Sequence, residues 1–414
     1  MSIGPMNGWR ALDLTDEKGF LCGKLLADLG VDVIKVEKPG GDPSRNSPPY
    51  YHDIEDPEKS LYWFSYNCNK RSITLNFETD EGQDLFKRLV KNTDFLIESY
   101  PPGYMSDYKL NYEELEKLNP SLVMTSITPF GQDGPYAKFK GSDIVVQAMG
   151  TVLSLFGDTD RAPVRMSIPQ AYMHAGADAA EGTMIAHYYR KLTGIGQHVD
   201  VSAMESAIRS IHYFLALWDG WKVDQPRVGS LSVNSGLKCP VIWECQDGFI
   251  VYGLNAGLMG ARSNRALTEW MRSENKAPDS MLNKDWENWD WLQTTQSELD
   301  SYIKPISKFF GAHTKKYLEE EAQQRGLMLA IVADSSEVVN SSQLRSRDFW
   351  KEVEHPELKD KIIYPGAFAK FIPEPIDQNW VHAPVIGENN REIYVKELGL
   401  SEEEINVLKS GRTI

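Results

Sequence analysis

The sequence predicts an α/β protein: a parallel sheet covered on both faces, with a smaller second domain. Three observations carry that reading. Up to about residue 130, short β-branched apolar runs alternate with amphipathic stretches of helical period, as in repeated strand–helix–strand units. At 414 residues the chain is long enough for two or three domains, each with its own core. From roughly residue 225 the buried-strand runs thin out and a Trp-rich acidic patch appears at Trp286-Glu287-Asn288-Trp289-Asp290-Trp291. The expected division is 1–224 for the first part of a large domain, 225–330 for a small domain, and 331–414 for a C-terminal part.

Each element has its own signal. Trp9 to Leu14 reads as a short buried strand. Phe20 to Leu29 follows as a helix whose Phe20, Leu21, Leu25, Leu26 and Leu29 share an apolar side, with Gly30 placed to end it. Val31 to Val36 is β-branched strand. A helix over about Glu81 to Lys91 feeds a strand at Phe95-Leu96-Ile97. A further helix, Tyr112 to Leu118, stops at Asn119-Pro120 before the strand Leu122 to Ile127. A long helix from about Met173 to Arg190, closed by Thr193-Gly194, leads to the strand Val199-Asp200-Val201 and a helix over Met204 to Trp218. Near the end, Ser401 and Glu404 have capping-box spacing.

Composition narrows the function. A net charge of −15 argues against nucleic acid and anionic membranes as main partners, although a few local cations would suffice for an anionic ligand. In the acidic Trp patch, packing or a partner contact is expected rather than base stacking. Cys22, Cys68, Cys239 and Cys245 form no CxxC pair, and the eight histidines show no HExxH spacing, so no metal site is expected. Without an apolar signal core at the start or a run of about 18 apolar residues, a cytoplasmic protein is expected.

Six motifs then occur in order. They are Leu25-Leu26-Ala27-Asp28-Leu29-Gly30-Val31-Asp32-Val33-Ile34-Lys35-Val36-Glu37-Lys38-Pro39-Gly40-Gly41-Asp42-Pro43, Asn69 to Asn76, Gly131-Gln132-Asp133-Gly134-Pro135-Tyr136, Gln147 to Gly150, Thr193 to Val201, and Ala383 to Asn390. Together they resemble the family III CoA-transferases, also called the CaiB/BaiF family, over nearly the whole chain. The resemblance implies a Rossmann-like large domain built from both chain ends, a small domain between them, and two subunits interlocked as a dimer. It implies coenzyme A or an acyl-CoA as substrate, with a carboxylic acid as acceptor. It also sets Lys38, Arg71 and Lys140 at basic positions around the nucleotide, and Ser99 and Tyr100 beside the adenine.

One residue breaks the pattern. In Pro169-Gln170-Ala171-Tyr172-Met173-His174-Ala175-Gly176, the resemblance places Tyr172 where the family has its nucleophilic aspartate. Only a carboxylate can form the mixed anhydride of that mechanism; a phenol with an ordinary pKa of about 10 cannot replace it. On a helix, His174, Asp178 and Glu181 lie about 200°, 240° and 180° from Tyr172, away from the face it shares with Gly176. Asp107 stands where the family carries an arginine, Val233-Asn234-Ser235-Gly236 replaces a glycine-rich loop, and Gly141-Ser142-Asp143 lacks the histidine of the related racemases. These departures imply a non-catalytic subunit paired with a paralogous catalytic one. The complex would move CoA from a donor such as succinyl-CoA to an acid, with benzylsuccinate and anaerobic aromatic degradation suggested by the resemblance. Two readings stay open: a homodimeric transferase with relocated chemistry, and a protein that binds CoA esters without turnover. A dinucleotide dehydrogenase is not indicated, since no GxGxxG follows the first strand.

Overall fold

The computed structural model describes residues 4–372 and 380–414. The chain divides into two compact units: one of Met1–Leu153, Arg165–Asp224 and Ser342–Ile414, the other of Ser154–Val164 and Gln225–Ser341.

The large unit is organised by six parallel strands: β1 (Arg10–Leu14), β2 (Asp32–Glu37), β3 (Arg71–Thr74), β4 (Phe95–Glu98), β5 (Val123–Thr128) and β6 (Gln197–Ser202). Their order is β3-β2-β1-β4-β5-β6, so the direction of winding reverses between β1 and β4. Such a reversal leaves a crevice beyond the carboxyl ends of the two strands, where ligands of open α/β sheets bind. The connecting helices are α1 (Phe20–Asp28), α2 (Leu61–Asn67), α3 (Asp80–Val90), α4 (Tyr104–Asp107), α5 (Tyr112–Leu115), α6 (Asp143–Met149), α7 (Gln170–Thr193), α8 (Ala203–Arg209) and α9 (His212–Trp221). One core contains Leu12, Ile34, Ile73, Phe86 and Leu96 together with Ile393, Tyr394 and Ile405 from the C-terminal stretch. That stretch is stitched to β3: Asn389 N–H donates to Ser72 O, Asn390 Oδ1 accepts from Thr74 N–H, and Tyr394 Oη donates to Thr74 O at 2.8 Å. The capping box of Ser401 and Glu404 is present.

The expected helix over Met204 to Trp218 is instead two helices. Ser210 Oγ donates to Ala207 O at 2.7 Å, and Ile211 leaves the helical region at φ −121° and ψ 15°. A hydroxyl returned to the backbone in this way competes with helix continuation. The helix expected to reach Leu118 ends at Leu115, ahead of the Asn119-Pro120 turn.

The small unit has a three-stranded antiparallel sheet of Ile242–Cys245, Gly248–Tyr252 and Leu329–Ile331, with helices Gly257–Ser273, Gln296–Phe310 and Lys315–Arg325. The Trp-rich patch is packing: Trp286 and Trp289 meet edge to face at 5.5 Å inside the core formed with Trp270, Tyr302 and Phe310. Among the described residues no helix is long and apolar enough to cross a membrane, and no cluster of three or more His, Cys, Asp or Glu could hold a metal.

Candidate functional site

The floor of the crevice is a buried ion network. Asp13, near the end of β1, is inaccessible to solvent and receives Lys70 Nζ at 2.8 Å, with Lys35 Nζ at 3.6 Å. Its other contacts are to the following loop: Oδ1 accepts from Thr15 N–H at 3.0 Å and from Thr15 Oγ1 at 2.6 Å. Burial opposes ionisation of Asp13, yet Lys35 and Lys70 outweigh it and hold the carboxyl down to about 2. Ser99, one residue beyond β4, closes the reversal point. Its hydroxyl accepts from Asp16 N–H and donates to Asp16 Oδ1, both at 2.8 Å.

Tyr172 stands at the start of α7 and is 2 % exposed. Pro169, at the N-cap, supplies no side-chain cap. Asp143 does so from a distance, accepting from Tyr172 N–H at 3.1 Å and satisfying an orphan donor of the first turn. The phenol donates to Gly141 O at 3.0 Å. Burial raises its pKa, and the nearby acids Glu17, Asp16 and Asp143 raise it further. The hydrogen bond and the raised pKa together favour an anchored, neutral phenol. Gly176, one turn on, lets α7 approach α1: a Cβ there would lie 2.8 Å from Leu21 Cβ. His174 and Glu181 are exposed and Asp178 is half-buried with Arg209 at 3.5 Å, so none shares the buried face of Tyr172.

The residues set around a nucleotide divide into two groups. Lys38 lies just beyond β2 and pairs with Glu78 at 2.6 Å, while Glu78 also accepts from Tyr104 Oη. The Lys38 and Tyr104 hydrogen bonds hold the Glu78 carboxyl below the usual carboxylate range. Tyr100 stacks on Tyr104 at 4.6 Å, and Phe77 meets both rings edge-on. Lys140 is exposed beside Gly141, the acceptor for Tyr172. Arg71 is elsewhere. It begins β3 opposite Ile34, four residues before Lys38 and so about 13 Å lower along the sheet. There it binds Asp32, and Glu397 at 2.9 Å. The structure therefore brings Lys38, Ser99 and Tyr100 to the carboxyl edge and places Arg71 toward the amino edge. Asp107 ends α4 and is exposed.

Glu98 carried no functional signal in the sequence, where it reads as the polar end of an apolar strand. It is 3 % exposed, and Oε2 accepts from Tyr100 N–H at 2.6 Å. Burial pushes its carboxyl up to about 7 against the hydrogen bonds from Ser126 and Tyr100. A raised carboxyl pKa means the folded state holds a proton that the unfolded chain has lost. Stability therefore falls as pH rises from the unfolded value near 4.5 to about 7, by about 3 kcal/mol in all. Glu98→Gln removes that penalty. Its thermal midpoint should exceed that of the unaltered protein at about pH 8, with the difference shrinking as pH falls and vanishing at about pH 4.

Comparison with known proteins gives one answer. The CoA-transferase family III profile matches residues 6–390. The chain is 33% identical over 411 residues to the succinyl-CoA:(R)-benzylsuccinate CoA-transferase subunit BbsE of Thauera aromatica, covering 97% of each. It is 30% identical to a formyl-CoA:oxalate CoA-transferase of Streptomyces avermitilis, covering 99% of each. Its fold matches the crystal structure of a CAIB/BAIF family protein from Brucella suis with TM-score 0.80 and 24% identity, over 96% of this chain and 100% of that one.

Proposed function

This chain belongs to CoA-transferase family III, and from that premise we propose that it is the non-catalytic subunit of a heteromeric CoA-transferase. The complex moves CoA from an acyl-CoA such as succinyl-CoA to a carboxylic acid of the benzylsuccinate type. The observation that carries this reading is Tyr172: a buried phenol, hydrogen-bonded through its hydroxyl and surrounded by acids that disfavour its ionisation. Covalent transfer needs a carboxylate able to form an anhydride. The partner subunit supplies it.

The nucleotide edge supports the same division. Lys38, Ser99, Tyr100 and Lys140 are the residues of this chain along which CoA would lie; Arg71, toward the amino edge, falls outside that line. Lys38 is already paired with Glu78, whose carboxylate would neighbour any phosphate held there, and one face of Tyr100 is covered by Tyr104.

The surface of the large unit supports a partner. Ile185, Tyr188 and Leu192 recur at helical spacing along α7 and are 62%, 67% and 68% exposed. α9 buries none of its residues although it carries Tyr213, Leu215, Trp218 and Trp221. Exposed apolar residues at helical spacing on α7, and a helix α9 with none of its residues buried, are surfaces that an interlocked paralogue would cover. The test is co-purification: a tagged copy of this chain, co-expressed with an untagged paralogue bearing aspartate at the position of Tyr172, should retain that paralogue in fixed stoichiometry. A stable, fully active assembly of this chain alone would end the proposal.

A further inference from the structure

On the far side of the sheet from Tyr172 lies a cavity that the transferase reading leaves unused. Along β5, Thr125 faces α7 and binds Thr183 at 2.7 Å. Strand alternation therefore turns Met124 and Ser126 to the opposite face. There, beside the carboxyl end of β4, the middle of β5 and the start of β6, a space of about 230 Å³ is lined by Glu98, Ser126, Gln132, His198, Tyr112 and Met124 among others. A cavity of about 150 Å³ suffices for benzene. This one has room for a small organic molecule.

Its polar groups define what would fit. Gln132 is held by its own backbone, whose N–H donates to Asp200 Oδ2 at 2.9 Å. Its side-chain Nε2 is buried without a hydrogen-bond partner. An amide donor in that state requires an acceptor. Glu98, almost wholly buried, offers carboxyl oxygens whose protein donors are Tyr100 N–H and Ser126. Ser126 Oγ lies 2.9 Å from His198 Nε2, and the His198 ring stacks on Tyr112. The titratable groups of the lining are Glu98, Tyr112, Glu113 and His198; no lysine or arginine lines the space. An anion would meet carboxyl groups with no cation to offset them. A carbonyl for Gln132 beside an N–H for Glu98 is the arrangement of an amide, and Met105 and Met124 give it apolar walls.

We propose that this cavity is a second binding site, for a small uncharged carboxamide, separate from the crevice at Tyr172. It is independent of which subunit performs the transfer. The test uses the full chain, alone or with its partner, labelled at its methionine methyl groups and titrated with propionamide, propionate or propylamine while NMR follows Met105 and Met124. Propionamide should give saturable shifts of both methyls, with the other two probes giving none. Gln132→Leu, checked for an unchanged thermal midpoint, should weaken propionamide roughly tenfold or more. Equal binding of propionate, unaltered binding in Gln132→Leu, or no saturable shift with any probe, as for a cavity holding water alone, would overturn the assignment. Should Gln132→Leu fail to fold, the three-probe comparison on the unaltered protein decides.

Discussion

Replacing Asp13 with alanine is expected to destabilise the protein by about 3–5 kcal/mol, the largest effect of any single substitution considered. The reason is what remains. Lys35 and Lys70 are 1 % and 3 % exposed; without Asp13, Lys35 keeps Asp42 at 3.6 Å, but the buried Lys70 ammonium loses its carboxylate at 2.8 Å and is left to the neutral acceptors Asn67 Oδ1 and Phe20 O. Thr15 loses both hydrogen bonds that fix the loop into α1. Space cannot be recovered from the opposite side, where Gly23 already lies so close that a Cβ would sit 2.2 Å from Asp13 Oδ2. A urea titration near neutral pH reads the loss as a shifted midpoint. The unaltered protein should show the same dependence on acid. A carboxyl held below its unfolded value stabilises above that value, so the contribution is full above about pH 4 and disappears as pH falls toward 2. The alanine variant should lack that part of the acid response.

The second large effect is on turnover. The isolated chain should transfer CoA at background rate, and addition of the aspartate-bearing paralogue should raise the rate roughly a thousandfold or more, the scale on which removal of a nucleophile acts. Restoring a carboxylate by Tyr172→Asp should leave the isolated chain inactive. The new acid would lie among Asp16, Glu17 and Asp143, which already raise the pKa of the residue there. Lys38 would still be engaged by Glu78. A steady-state assay of the isolated chain, the variant and the mixed complex separates these cases.

The individual strands and the motifs were legible because they depend on local period and on contiguous residues. Runs such as Val33-Ile34-Lys35-Val36 carry their fate in their own composition, and Gly30 marks the end of α1 wherever the rest of the chain lies. The site was less legible because its chemistry depends on distant pairs. Nothing in Lys38 announces that Glu78, forty residues later, will hold it. Nor does Tyr100 announce that Tyr104 will take its ring face. Glu98 reads as the end of a strand, and its burial follows only from β1 and β5 lying on either side of it. The break at Ser210 escaped for a related reason: one hydroxyl turned back on a carbonyl decides it, and hydrophobic period does not register that. Arg71 shows the opposite hazard. Its motif is clear, but strand register fixes the end of the sheet to which it belongs.

The proposed division of labour puts the chemistry in a partner rather than in this chain. The direct measurement is to incubate the assembled complex with acyl-CoA, trap the activated carboxyl with hydroxylamine, and map the modified peptides of both subunits. A single hydroxamate is expected, on the paralogue's aspartate at the position matching Tyr172, and none on any peptide of this chain. A hydroxamate on a carboxyl of this chain, formed at the rate of turnover, would contradict that division.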